Sequence, residues 1–311
     1  MNVPVLGSLP AYTLRIAQVI VLGALAWQIW QVVDGEEAIA VLTSANPNWL
    51  FAAAMMLTLQ TLLSAQRWRI TAQRLGITIS RGEAIREYYL AQVVNQSLPG
   101  GMIGDAGRAV RFRKEAGLLS SGQAVIFERL SGQIGMLLLL VSGLVLATVV
   151  PTGFRWPEWL VSSIGVSLGI LVAVLVGTFL LLRLRFKSVE ALRRFVSAFA
   201  HSVTAPGILA HQTGLSVGTA LCNVLAFAFC AAALGIILPK LVVLTLVPLI
   251  LFAMLIPLSI GGWGFREGAA VLLFPVMGAT PGQGLATSVA FGLMFLLAVL
   301  PGAVMTRFGK N

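Results

Sequence analysis

Long apolar runs fill most of this chain, and the polar positions between them are of two kinds: basic clusters that end a run, and glycine–proline breaks that interrupt one. Runs long enough to cross a bilayer, at about 20 residues each, lie at Leu14–Val33, Trp49–Gln66, Val125–Val150, Leu160–Leu182, Thr213–Leu238 and Leu285–Val304. Two further stretches stop short. NQSLPGGMIGDAGRAVRFR (Asn95–Arg113) and IPLSIGGWGFRE (Ile256–Glu267) each combine a proline, adjacent glycines, a further glycine and then charge. Proline removes a backbone donor and glycine loosens a helix, so both stretches leave backbone groups without helical partners at membrane depth. That is tolerated only where the backbone is buried in protein or lines a polar cavity. Paired interruptions in two halves of a chain point to a transporter's binding site. The two broken elements are therefore expected to face each other and hold a polar or anionic group.

Charge orders these runs. Asp34, Glu36 and Glu37 follow the tryptophan-edged end of the first span and place it outside. Arg67, Arg69, Arg74, Arg81 and Arg86 read as a cytoplasmic loop after the second span. Ala24-Leu25-Ala26 imitates a signal-peptidase site, but the apolar run continues past it to Val33, and an uncleaved first span is expected. Both flanks of the first break are basic, which predicts a re-entrant hairpin from the cytoplasmic side. Counting crossings back from Arg307 and Lys310, with both termini cytoplasmic, the second break is reached from outside. The expected fold is an all-α polytopic membrane protein, a single membrane-embedded domain over 1–311. It has about six full spans plus two re-entrant broken-helix elements, about 86–114 and 241–275, in an inverted-topology repeat. Val189, Leu192, Val196 and Phe199 fall at helical spacing opposite basic residues. This predicts either an amphipathic inner-leaflet helix over about 187–201 or a solvated connector.

Composition narrows the function. With 58% hydrophobic and 10% charged residues and a mean hydropathy of +0.93, a soluble globular domain is excluded. Lys+Arg number 21 against 11 Asp+Glu, a net +10, which in such a chain reports topology and contact with anionic headgroups at the inner leaflet, not nucleic acid. Cys222 and Cys230 share one apolar run and read as packing residues. His201 and His211 lack carboxylates at ligand spacing, so no metal is expected. No serine sits in a nucleophile elbow, and LPGGMIGDAG lacks the Gly-Lys-Ser/Thr ending of a phosphate-binding loop. The chain is accordingly expected not to be an enzyme and to need no cofactor, with any transport running down a gradient or coupled to an ion or the membrane potential.

LPGGMIGDAGR at Leu98–Arg108, the Glu128-Arg129 pair and IPLSIGGWGFREG at Ile256–Gly268 together resemble the flippase-like membrane family typified by the transmembrane region of lysylphosphatidylglycerol synthases. That family includes the multiple peptide resistance factor and many free-standing bacterial and archaeal relatives. The likeness runs from about Arg67 to Arg307. It implies movement of a lipid with a polar headgroup between leaflets of a bacterial or archaeal cytoplasmic membrane. Asp105, Arg108, Glu128, Arg129, Arg266 and Glu267 occupy the family's charged motif positions. No soluble acyltransferase domain follows Asn311, so the aminoacyl-transferring half of the type member is not expected and the resemblance does not imply lysyl-phosphatidylglycerol as substrate.

The residues themselves indicate how a headgroup would be held. Gly100, Gly101, Gly104, Gly261, Gly262 and Gly264 let backbone N–H groups approach an oxyanion, and the half-helix after each break offers its positive end. Arg108, Arg129 and Arg266 would grip a phosphate, and Asp105, Glu128 and Glu267 would hold those arginines when the site is empty, or bind an amine or sugar hydroxyl. Asn95, Gln96 and Asn223 are either cavity-lining or interhelical hydrogen-bonding groups. The expectation is a lipid translocase for a phosphate-bearing headgroup, an anionic phospholipid or a polyprenyl-phosphate-linked sugar. A secondary transporter of a soluble small anion and an integral-membrane lipid-headgroup transferase are the rivals. A homodimer is among the assemblies the sequence allows.

Overall fold

A computed structural model describes residues 35–97, 102–149, 156–183, 189–255 and 262–305. The helices are Gly35–Thr43 (α1), Pro47–Arg74 (α2), Arg81–Ser97 (α3), Ile103–Arg111 (α4), Arg113–Val149 (α5), Glu158–Arg183 (α6), Glu190–Phe199 (α7), Leu209–Ala233 (α8), Lys240–Phe252 (α9), Phe265–Leu273 (α10) and Pro281–Met305 (α11). Every regular element among the described residues is helical, as an all-α membrane chain requires. Five of these helices are long and apolar enough to span: α2, α5, α6, α8 and the Pro281–Gly302 part of α11. The sixth expected span, Leu14–Val33, lies outside the described residues.

Local chemistry sets the helix limits. Asn46 caps α2, its Oδ1 accepting from the Asn48 N–H at 2.9 Å, and Pro47 occupies the first turn, where its missing donor costs nothing. In α5, Gly117 has φ 82° and separates a short basic turn from the long apolar segment. Described helices end and begin on either side of both expected breaks. One helix stops at Ser97 and the next starts at Ile103, and α9, prolonged by a 3₁₀ turn to Leu255, is followed by α10 from Phe265.

The scaffold is an antiparallel pair. Asn46 N–H donates to the Ala233 carbonyl at one end of α2 and α8, and Gln212 Nε2 donates to Thr71 Oγ1 at the other. Since α3 leaves from the C-terminal end of α2 and α9 from the C-terminal end of α8, the two broken segments depart from opposite ends of this pair. Between them lies the main core, built from Leu57, Val224, Phe227, Leu246, Ile250, Phe274 and Phe291 with their neighbours. Cys222 and Cys230 are free and buried, Cys230 within this core.

Two peripheral helices differ. Helix α6 buries only Leu160. Helix α7 has no buried residue, yet Phe195 and Phe199 set their rings edge-on to Phe127 of α5 at 5.0 and 5.3 Å. It is thus docked to the bundle by aromatic contacts while Arg194 pairs with Glu190 on its exposed face.

Candidate functional site

The loop expected over Arg67, Arg69, Arg74, Arg81 and Arg86 is instead the last two turns of α2 and the first turns of α3. Arg67 is buried inside the bundle, because the helix continues to Arg74 and turns this residue toward α5 and α8. Seven residues at 1.5 Å each put it about 10 Å in from the basic end of the helix. Its Nη2 donates to Glu128 Oε1 at 2.6 Å and its Nη1 to Thr219 Oγ1 at 2.7 Å. Tyr88 of α3 donates its hydroxyl to the same Glu128 oxygen at 3.1 Å.

Glu128 and Arg129 are adjacent in sequence but point about 100° apart on α5, so each finds a different partner. Glu128 lies between Arg67 and Arg108, with Oε2 3.6 Å from the Arg108 guanidinium. Arg129 reaches across to Asp105 of α4. Asp105 also accepts from Arg108 Nη2 at 3.0 Å and from Asn95 Nδ2 at 3.2 Å. Arg108 is completely buried, stacked between Trp68 and Tyr88 with its Cζ 4.3 and 4.7 Å from the ring centroids, and its Nε and Nη1 have no hydrogen-bond partner. These five groups form one network of three guanidiniums and two carboxylates, leaving one positive charge in excess. Charges this deep are expensive unless paired, and the pairing accounts for four of the five.

The first break shapes this network. Asn95 Oδ1 accepts the Gly104 N–H at 2.8 Å, folding α4 back on α3. A Cβ at Gly104 would stand 2.0 Å from the Ala91 carbonyl oxygen, so only glycine permits the approach. Gly100 and Gly101, expected to cradle an oxyanion, lie outside the described residues.

The second break builds a separate cluster. Gly264, with φ 90°, begins α10 and donates its N–H to Glu267 Oε2 at 2.6 Å. Arg266 donates to Glu267 Oε1 and, through Nε, to Ser288 Oγ of α11 at 2.8 Å, while Ser288 donates to Glu267 at 3.0 Å. Both charged residues are buried. Trp263 and Phe291 cover the Arg266 guanidinium at 5.1 and 5.2 Å. Gly262 has φ 89° and packs against Met254. Gly261 lies outside the described residues.

A cavity of about 450 Å³ separates the two clusters. Asp105, Glu128, Arg129 and Arg67 line one wall, and Gly262 with the α9 segment from Leu251 to Leu255 lines the other. Both broken elements therefore face a single space, but not all their charges reach it: Arg108 sits behind Tyr88, which lines the cavity, and Arg266 and Glu267 sit behind Phe291, which also lines it. Met102, Ile126, Leu130 and Leu255 also line it and are more than two-fifths exposed, giving the cavity an apolar, outward-facing margin.

Charge counting along the sequence missed Arg67, Tyr88, Thr219, Gln60, Gln92 and Gln133, all of them cavity-lining. Their signal was periodic: Gln60, Ser64, Arg67 and Thr71 recur at helical spacing on one face of α2, as Gln92, Asn95 and Gln96 do on α3.

Fold and cavity together define a polytopic, all-helical membrane protein with a charged recess between two broken helices. The family model described as lysylphosphatidylglycerol synthase TM region matches residues 15–302, and the chain belongs to that family. No curated protein compared with the chain matches it.

Proposed function

We propose that this protein moves a lipid with a phosphate-bearing headgroup between leaflets of the cytoplasmic membrane. The observation that carries the reading is the one positive charge in excess in the network behind the cavity wall, with Arg67 and Arg129 on the lining and Arg108 just behind it, next to a margin of exposed apolar side chain. An anionic headgroup balances the charge, and the apolar margin lets its tail stay in hydrocarbon. Arg129, about two-fifths exposed while its cluster partner Asp105 is buried, is the guanidinium best placed to exchange a carboxylate for a phosphate. In this reading α3–α4 and α9–α10 are re-entrant elements of opposite orientation, supported by their departure from opposite ends of the α2–α8 pair. A soluble-anion carrier would not need the apolar margin, and a transferase would need a group to activate a nucleophile.

Liposomes containing the purified protein and a trace of acyl-labelled anionic phospholipid test this. Lipid should cross with the native chain and cross at least about tenfold more slowly with Arg129→Ala, a loss of about 1.4 kcal/mol in barrier stabilisation. Uptake of a soluble anion without lipid movement, or a changed headgroup mass, would replace this reading by a carrier or a transferase.

A further inference from the structure

Apart from Arg67, Arg129, Asp105 and Glu128, the polar lining of the cavity is neutral. Beside the hydroxyls of Tyr88 and Thr219 it has six carboxamides: Gln60 on α2, Gln92, Asn95 and Gln96 on α3, Gln133 on α5 and Asn223 on α8. They approach from four helices, so they surround the space instead of forming a single surface stripe. Some of their capacity serves the fold. Gln60 donates to Ser64 at 3.1 Å, Gln92 accepts from Thr61 through Oε1 at 3.0 Å, and Asn223 donates to the Thr219 carbonyl through Nδ2 at 3.2 Å. A carboxamide carries two donor hydrogens and an acceptor oxygen. The Gln92 NH₂ and the Asn223 carbonyl therefore remain for a guest.

The charged wall adds a constraint. Each carboxylate on the cavity, Asp105 and Glu128, is already matched to guanidinium groups. After one phosphate has cancelled the surplus positive charge, an ammonium on the same headgroup would meet no spare carboxylate. It would lose its hydration shell in exchange for neutral amides alone, whereas a hydroxyl can both donate to and accept from those amides. Rejection by an unmet charge is a stronger filter than a small difference in attraction.

We propose that the headgroup taken by this cavity is a single phosphate followed by a neutral, hydroxyl-rich unit, a polyol or a sugar, and that headgroups bearing an ammonium are discriminated against. This rests on the lipid-translocase reading above and specifies its substrate class. The volume of about 450 Å³ falls within the small-molecule range and accommodates a phosphate with one such unit.

The test uses the full chain in liposomes with three labelled probes: phosphatidylglycerol for the polyol, a polyprenyl-phosphate hexose for the sugar and phosphatidylethanolamine for the ammonium. At least one hydroxyl-bearing probe should move about tenfold faster than phosphatidylethanolamine, the ratio expected for one well-made polar discrimination. Which of the two moves decides between polyol and sugar. Gln133→Glu and Asn223→Asp each add a carboxylate to the lining and should narrow or reverse that ratio. Equal rates for all three probes with the native protein would overturn the selectivity and leave the translocase standing, and so would an unchanged ratio in both variants. If no probe moves with the native protein, the translocase reading fails first and the selectivity falls with it. The native ratio needs no variant to fold, so the selectivity stays open to disproof even if a substitution unfolds the chain.

Discussion

Arg67 and Glu128, 61 positions apart in the chain, hold their side chains 2.6 Å apart at the junction of α2 and α5, with 5% and 1% of their surface exposed. Removing the carboxylate alone leaves Arg67 buried without its counter-ion and Arg108 with Asp105 alone. Glu128→Ala is expected to cost about 3–5 kcal/mol, the usual penalty for breaking a buried pair. Replacing both members by methionine removes the charge with its partner and should recover most of that loss. Thermal unfolding in detergent checks this; a double variant no more stable than the single one would mean the network acts as a whole and not through this pair.

Two glycines three residues apart on α4, about 4.5 Å of helix rise, should respond differently. A Cβ at Gly104 meets the Ala91 backbone carbonyl at 2.0 Å, while one at Gly107 meets only the flexible end of Arg111 at 3.3 Å. Gly104→Ala is expected to destabilise by at least about 1–3 kcal/mol through overpacking against an immovable group. Gly107→Ala should be neutral, within about 0.5 kcal/mol. Comparable unfolding temperatures for the two variants would show that α3 and α4 part easily.

Arg129 and Arg266 are expected to fail for different reasons. Arg129 borders the cavity, and its alanine variant should lose lipid movement while keeping most of its thermal stability. Arg266 is sealed behind Phe291, so Arg266→Ala leaves Glu267 buried without its cation and should lower stability by about 3–5 kcal/mol. A thermally normal Arg266→Ala protein that no longer moves lipid would show that this arginine meets the headgroup directly.

Both cysteines should serve as built-in reporters of unfolding. Cys222 and Cys230 are buried among the core residues of α8, so a maleimide dye that fluoresces on reacting should label the folded protein slowly and the heated protein abruptly. Rapid labelling at low temperature would mean that α8 opens locally, in the sense of sub-global unfolding.

Much of the architecture was legible in the residue pattern because bilayer length and backbone satisfaction leave few options. The described spans fall where the apolar runs lie, and described helices stop at Ser97 and Leu255 and resume at Ile103 and Phe265, on either side of the glycine–proline stretches. Partner identity was far less legible. Glu128 and Arg129 look like a natural pair along the chain, yet successive helical residues diverge and each is claimed by another helix. Arg67 was hidden by its company, since a basic residue followed by Arg69 and Arg74 reads as a cytoplasmic flank. The polar residue one turn before it, Ser64, and Gln60 before that, betray a polar helix face that charge counting overlooks.

Helix α6 fully buries only Leu160, with Ile164 against the core and the Leu182 carbonyl accepting from Arg193. Its 26 residues make a rod of about 39 Å, longer than the roughly 30 Å of hydrocarbon it crosses. With so little of its surface packed against other helices, its lean should respond to the lipids around it. Thicker membranes should stand it upright and thinner ones lay it over, while the interlocked α2–α8 pair stays put, so one protein carries both a rigid post and a gauge of the bilayer in which it sits.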